Sequence, residues 1–179
     1  MKQLGTKAED FTLVDTVSKE KISYSDITGE HATVIMFICN HCPFVKHVQE
    51  ELVNLANNYL SKGVGFVAIS SNDVENYPQD SPEKMREEAK KNNYPFPYLY
   101  DKSQEVAKKY QAACTPDFFV YDKNDSLVYR GQLDESRPGN DKPVNGSDLR
   151  AALDAILAGK KPTTNQKPSI GCNIKWKET

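Results

Sequence analysis

Two cysteines separated by two residues lie between an apolar segment and an amphipathic one, and this arrangement constrains the chain more than any other feature. Residues 33–38, just before Cys39, form a short, mostly apolar run that is typical of a buried strand. After Cys42, apolar residues recur at helical spacing; they are Phe44, Val48, Leu52, Leu55 and Tyr59. The sequence therefore predicts a strand, a Cys-x-x-Cys turn and a helix in direct succession.

This succession predicts that one of the two sulfurs ionises easily. The first turn of a helix has unpaired backbone N–H groups, which favour a negative charge nearby. We expect Cys39 to lie there and to ionise more readily than a free thiol, while Cys42 is close enough to form a disulfide with it. His41 can add positive charge near the thiolate. Pro43 is compatible with the first helical turn, because the N–H group that proline lacks would be unpaired at that position.

The residues of the motif, Cys39-Asn40-His41-Cys42, resemble the active site of thioredoxin-fold oxidoreductases. A His before the second Cys is similar to the more oxidising members, the disulfide isomerases and DsbA-type oxidants. Residues 8–15 resemble the opening of the redoxin (AhpC/TSA-like) branch of the thioredoxin-like superfamily, with Glu9 where those proteins usually have Pro. The resemblance implies an α/β thioredoxin-like fold, with a central mixed β-sheet flanked by helices, a redoxin-type N-terminal extension and a helical insertion.

A second stretch carries the same resemblance. Thr115-Pro116, directly before an aromatic strand, is similar to the cis-proline loop of the thioredoxin fold. The resemblance implies that this loop lies against the Cys-x-x-Cys and presents its backbone to a substrate chain. Cys114 immediately precedes the loop, so we expect it near the redox pair as a possible additional thiol, with a buried apolar role favoured. We expect Cys172, far along the chain, to take no part in turnover.

The remaining elements follow from start and stop signals. The first helix is expected to end near residues 61–63, and the apolar residues 64–69 predict a strand parallel to the first one. Residues 71–80 have the composition of a loop, and Ser81 is expected to cap the helix of the insertion. We also expect residues 22–27 to be extended and residues 132–146 to form an exposed loop.

Domain organisation follows from the position of the last helix, which opens at residues 147–148 and ends at Gly159. We predict one thioredoxin-like domain over residues 1–159. Residues 160–179 are predicted to form a C-terminal tail that docks on the domain through apolar anchors. Those anchors are Ile170, Ile174 and Trp176.

Composition narrows the function classes. The chain has 179 residues with 23 Lys and Arg against 25 Asp and Glu, a formal charge of −2, and no basic cluster that favours nucleic acid. No apolar run approaches the roughly 18 residues that a membrane helix needs, and residues 1–6 lack the apolar core of a signal peptide. We therefore expect a soluble cytoplasmic protein with no nucleic-acid or membrane partner. Four cysteines in a chain of this length do not indicate a disulfide scaffold.

Two departures from thioredoxin bear on chemistry. Ile38 replaces the Trp that precedes the first cysteine there, which changes the docking surface. Thr33 replaces the buried Asp that, in thioredoxins, helps to move the proton during resolution. His41 is the nearest replacement for that acid.

The interpretation that the residues favour is a thiol–disulfide oxidoreductase without metal or cofactor. Cys39 attacks a substrate disulfide to give a mixed disulfide, and Cys42 then attacks Cys39 to release the reduced substrate. The partners implied are protein or small-molecule disulfides and a dithiol electron donor.

Three alternatives were weighed against this interpretation. Structural zinc needs four ligands, and only one close cysteine pair is present. A peroxiredoxin-like thiol peroxidase is favoured by residues 8–15, but the Pro-x-x-x-Thr-x-x-Cys pattern of peroxiredoxins is missing around Cys39 and Cys42. A non-enzymatic redox-sensing interaction module is the third alternative.

Overall fold

The computed structural model describes residues 1–178. Seven strands form one mixed sheet in the order β2-β1-β5-β4-β3-β7-β8, and two short strands, β6 and β9, pair with each other outside it. The predicted fold class is confirmed. The strands are β1 (Thr12–Asp15), β2 (Lys21–Ser23), β3 (Ala32–Phe37), β4 (Val64–Ser70), β5 (Tyr98–Tyr100), β6 (Cys114–Thr115), β7 (Asp117–Asp122), β8 (Leu127–Gly131) and β9 (Cys172–Asn173).

Strand β3 lies in the interior of the sheet, and every one of its six residues is buried. It runs parallel to β4 and antiparallel to β7. Side chains alternate between faces along a strand, so Val34 and Met36 pack in one hydrophobic cluster while Ile35 and Phe37 pack in the other. The apolar run before the cysteines therefore anchors both layers of the core, and its carboxyl end leads directly to the candidate site.

Five helices cover the two faces of the sheet. Helices α2, α3 and α5 supply side chains to the cluster that contains both cysteines of the motif, whereas α1 and α4 cover the opposite face. The helices are α1 (Tyr24–Ile27), α2 (Pro43–Leu60), α3 (Pro82–Lys91), α4 (Glu105–Tyr110) and α5 (Ser147–Leu157). Ser81 caps α3 as predicted, accepting the N–H of Lys84 at 3.3 Å.

Two local predictions were wrong. Residues 22–27 are not extended throughout, because Ser23 and Asp26 form a reciprocal capping box that starts the short helix α1. The segment 132–146 is not simply an exposed loop. Asp134 is buried in it and accepts the backbone N–H groups of Ser136, Asn145 and Gly146, which folds the segment back against the domain.

The segment after α5 returns to the domain at β6. Strand β9 pairs with β6 in antiparallel register, with Cys172 opposite Thr115. Of the three predicted anchors only Ile174 is buried, whereas Ile170 and Trp176 are 58% and 42% exposed. The division of the chain into a domain and a tail at residue 159 stays a prediction. The last residue of the predicted tail, Thr179, lies outside the described residues.

Within residues 1–178, none of the helices has both the length and the apolar composition that crossing a membrane requires.

Candidate active site

The two sulfurs of the motif meet where the central strand gives way to α2. Cys39 lies two residues beyond β3, and Cys42 is the N-cap residue of α2, with Pro43 as the first helical residue. Both are free thiols, and each shifts the pKa of the other. Cys39 is 2% exposed and Cys42 is fully buried. The predicted pair is therefore assembled, but neither sulfur is open to solvent.

Thr115 joins the pair from the other side of the site. Its hydroxyl lies 3.5 Å from Cys39 Sγ, and the thiol form of Cys42 donates to its carbonyl oxygen at 3.4 Å. The Thr115–Pro116 peptide bond is cis, as predicted. The structure thus brings together three of the residues singled out from the sequence, Cys39, Cys42 and Thr115, and Pro116 follows directly in the loop.

Asp80 is the residue of the site that the sequence did not reveal. It lies at the end of a single 3₁₀ turn, Pro78–Asp80, and is fully buried. Its carboxylate accepts the backbone N–H groups of Asn40 and His41 and the side-chain amide of Asn72, and it forms an ion pair with His41 Nδ1. Burying a charged carboxylate costs free energy unless such partners surround it.

Asp80 and His41 lie beside the first sulfur of the pair. Cys39 Sγ, a ring nitrogen of His41 and a carboxylate oxygen of Asp80 all lie within 4.8 Å of one another. Thr33, which occupies the position of the thioredoxin acid, instead accepts the backbone N–H of Gly29 at 3.1 Å. The acid of this site therefore comes from the insertion, 41 residues beyond Cys39 in the sequence.

The same three groups are the type of side chain that binds a transition metal. Each Asp80 oxygen already has two protein partners, however: Oδ1 accepts the N–H groups of Asn40 and His41, and Oδ2 contacts the Asn72 amide and His41. The carboxylate of Asp80 is therefore satisfied by the protein's own groups.

The pKa values of the two thiols shift in opposite directions, downward for Cys42 and upward for Cys39, whereas the sequence led us to expect the thiolate at Cys39. A hydrogen bond from Cys39 lowers the pKa of Cys42 to about 4, against the effect of burial, with help from Cys172, the Thr115 hydroxyl and the N–H of Val45. The pKa of Cys39 is raised because its thiol donates to Cys42, because it is buried and because Asp80 is negative. The physical reason is that Cys42, not Cys39, occupies the N-cap of α2.

A pH titration of the reduced protein checks this assignment. We expect thiolate ultraviolet absorbance to appear as the pH rises through about 4 and to be fully present at neutral pH, because the pKa of Cys42 is lowered to that value. Cys42→Ser should remove this absorbance, whereas Cys114→Ser should leave it. A wild-type titration that begins only near the pKa of a free thiol, about 8.5, would contradict the assignment.

The two remaining cysteines are placed differently from each other. Cys114 Sγ is directed toward the carbonyl oxygens of Pro116 and Ser169, at 3.8 Å each, and burial raises the pKa of this thiol to about 12. Cys172, which was expected to take no part in turnover, lies opposite Thr115 and packs against the cluster that contains Cys42. The pairing of β9 with β6 delivers it there.

The fold and the site define a class of protein. A thioredoxin-like sheet carries a Cys-x-x-Cys at the start of its first long helix, beside a loop with a cis proline. Residues 4–130 match the model of the AhpC/TSA family. Because this match covers more than half of the chain, the protein belongs to the AhpC/TSA family, within the redoxins of the thioredoxin-like superfamily. A comparison with curated proteins gave no match.

Solved structures extend the likeness over the whole chain. An uncharacterized conserved protein from Geobacillus kaustophilus is 59% identical with a TM-score of 0.98, covering 100% of this chain and 95% of its own. A hypothetical protein from Sinorhizobium meliloti is 49% identical with a TM-score of 0.97, covering 100% and 97%. A thiol:disulfide interchange protein from Chlorobium tepidum is 17% identical with a TM-score of 0.63, covering 89% and 98%, and supports the fold alone.

Proposed function

We propose that this chain is a thiol–disulfide oxidoreductase whose Cys39–Cys42 pair alternates between dithiol and disulfide. The observation that carries the proposal is the convergence of two buried free thiols on Thr115, with Cys42 at the N-terminus of α2. Two thiols that share this partner are placed to form a disulfide, and the helix N-terminus stabilises the thiolate that the exchange needs. Membership of a redoxin family gives independent support.

The charge distribution gives the order of the steps. The Cys42 thiolate attacks a substrate disulfide, forming a mixed disulfide on Cys42 and releasing one substrate thiolate. Cys39 then loses its proton and attacks Cys42 Sγ, so that the Cys39–Cys42 bond forms as the mixed disulfide breaks and the second substrate thiolate leaves. The substrate gains two electrons and the pair loses two. This order is the reverse of the one expected from the sequence.

The proton of Cys39 goes to the His41–Asp80 pair in this scheme. Cys39 is the thiol with the raised pKa, so its attack requires a base within reach. The imidazole of His41 lies close to Cys39 Sγ and is held by Asp80 on one side and stacked on Tyr77 on the other, with ring centroids 5.7 Å apart. These two contacts hold the His41–Asp80 pair in place beside Cys39.

The partners follow from this chemistry. We propose protein or small-molecule disulfides as substrates, a dithiol as electron donor, and the cytoplasm as the location, because a reducing compartment keeps such a pair in its dithiol form. No metal or cofactor takes part in the proposed steps.

The test is disulfide reduction by the purified protein. Dithiothreitol serves as donor and insulin as substrate, and turnover above the rate of dithiothreitol alone is expected. Hydrogen peroxide is offered in a parallel assay. No turnover with insulin would overturn the proposal, and peroxide consumption at a comparable or higher rate would favour a thiol peroxidase of the same family.

A further inference from the structure

The third thiol at the site, Cys172, is the only one of the three with access to solvent. Cys39 and Cys42 are buried, whereas Cys172 is only partly buried. It lies opposite Thr115, which contacts both buried sulfurs, it packs against the cluster that contains them, and Cys42 raises the pKa of its thiol. The three sulfurs therefore form a chain in which Cys42 is the middle member and Cys172 is the outer one.

The position of Cys172 is fixed by the backbone around it. Cys172 lies opposite Thr115 in the β6–β9 pair, and on its far side Lys175 is held at both of its backbone groups. The N–H of Lys175 donates to Asn72 at 2.9 Å, and its carbonyl oxygen accepts from Asp73 at 2.8 Å and Gln104 at 2.9 Å. These bonds come from loops of the domain itself, so the placement of the thiol is a property of the folded chain.

Gly171 shows how closely this segment approaches the site. A Cβ atom at that position would lie 2.0 Å from the carbonyl oxygen of Thr115, a distance that no real side chain tolerates. Only a glycine lets the backbone before Cys172 come this close to the loop that contacts both buried sulfurs.

We propose that Cys172 is a third redox thiol, which takes over the disulfide of the buried pair and presents it at the surface as a Cys42–Cys172 bond. This rests on the proposed function. The Cys172 thiolate attacks Cys42 Sγ of the oxidised pair; the Cys42–Cys172 bond forms as the Cys39–Cys42 bond breaks, and Cys39 leaves as a thiolate that takes a proton from the His41–Asp80 pair. No net oxidation occurs in this step.

The donor dithiol then completes the cycle. One of its thiolates attacks the accessible Cys172 sulfur, breaking the Cys42–Cys172 bond and releasing the Cys42 thiolate. The second donor thiol attacks the resulting mixed disulfide, which frees Cys172 and leaves the donor as a disulfide. Two electrons pass from the donor to the protein, and the reverse sequence would carry an external disulfide inward.

The charges around Cys172 favour its attack at the stage when the Cys39–Cys42 pair is oxidised. In the reduced protein the pKa of Cys172 is raised to about 11, first by burial and then by its hydrogen bond and charge interaction with Cys42, while Lys175 and the N–H of Phe44 lower it. Oxidation of the pair removes the Cys42 thiolate and with it the second of these causes. Cys172 therefore becomes easier to ionise at the stage when its attack is needed.

The first experiment is re-reduction of the oxidised protein by dithiothreitol, quenched with acid and followed by peptide mass spectrometry. We expect Cys172→Ser to slow re-reduction of the pair by at least about tenfold. Without the aligned intramolecular thiol, dithiothreitol itself must attack the buried Cys39–Cys42 disulfide. Cys114→Ser, the matched control, removes a partly buried thiol from the adjacent strand that is directed elsewhere. It should re-reduce at the wild-type rate.

The second experiment retains Cys172 and replaces Cys39, which competes with it for a disulfide with Cys42. Cys39→Ser, oxidised with one equivalent of diamide, should yield the Cys42–Cys172 disulfide as the main product. The proposed role of Cys172 would be overturned if Cys172→Ser re-reduced at the wild-type rate, or if oxidised Cys39→Ser lacked the Cys42–Cys172 disulfide. Either result would leave the proposed function intact. Failure of the proposed function would appear separately, as wild-type protein that reduces no insulin.

Discussion

Cys42→Ser is expected to abolish disulfide reduction, lowering turnover by at least about a hundredfold, because the reaction then lacks both its thiolate and the intramolecular partner of Cys39. Cys39→Ser is expected to lose turnover through the Cys39–Cys42 disulfide, so that any turnover it keeps runs through a Cys42–Cys172 bond. Its Cys42 thiolate can still attack, and the product cannot be resolved by Cys39. Disulfides that contain Cys42 should therefore accumulate in this variant, joined either to substrate or to Cys172. Acid-quenched peptide mapping during turnover measures both.

The two variants together decide the order of attack. The sequence assigns first attack to Cys39, which predicts that trapped mixed disulfides appear on Cys39 in the Cys42→Ser variant. The structure places the N-cap and the lowered pKa at Cys42, which predicts trapping in Cys39→Ser. Cys114→Ser serves as the control and should turn over like the wild type. Trapping on Cys39 would contradict the order derived from the structure, and full turnover in either active-site variant would contradict the redox pair itself.

Asp80→Asn is expected to lower turnover by about tenfold to a hundredfold, in the range of a lost acid–base contribution. Asp80 acts as a positioning residue, because it fixes the His41 ring that exchanges a proton with Cys39. The substitution also weakens hydrogen bonds to a charged, fully buried group, so we expect the free energy of unfolding to fall by about 1.5–3 kcal/mol. Turnover as a function of pH and denaturant unfolding measure the two effects.

The matched control for this variant is Asp15→Asn. Asp15 is also a buried carboxylate, and it accepts three backbone N–H groups, from Val17, Ser18 and Tyr98, at the end of β1. It should lose comparable stability while retaining turnover and the wild-type pH profile. If both variants lose activity in proportion to their loss of stability, or if Asp80→Asn keeps the pH profile of the wild type, Asp80 has a structural role only.

The parts of the site that could be predicted from the sequence are those encoded locally. The apolar run of β3, the Cys-x-x-Cys and the helical spacing of α2 lie within 28 consecutive residues, 33–60, and each segment has its own periodicity. The cis Thr115–Pro116 bond was predicted through resemblance, since nothing in the local composition requires it. The fold class was predicted through the same resemblance.

The parts that could not be predicted depend on contacts between distant segments. Asp80 lies in a stretch whose Asn, Pro and Asp residues indicate a loop, and no spacing relates it to Cys39. Cys172 reaches Cys42 only because β9 pairs with β6, and two-residue strands have too few residues to show a periodicity. The thiolate expected at Cys39 stays a prediction. The helix begins at Pro43 with Cys42 as its N-cap, so Cys42 lies nearer than Cys39 to the unpaired N–H groups of the first turn.

The most direct test of the redox pair is equilibration of the protein across a series of dithiothreitol redox buffers, with acid quenching and quantitative mapping of every disulfide peptide. A redox pair centred on Cys42 predicts one two-electron transition in which Cys42 is a member of every disulfide formed, joined to Cys39 or to Cys172. Two results would contradict a redox pair centred on Cys42. One is a main product that omits Cys42, such as a Cys114–Cys172 disulfide, and the other is a Cys39–Cys42 pair that stays reduced while insulin is being reduced.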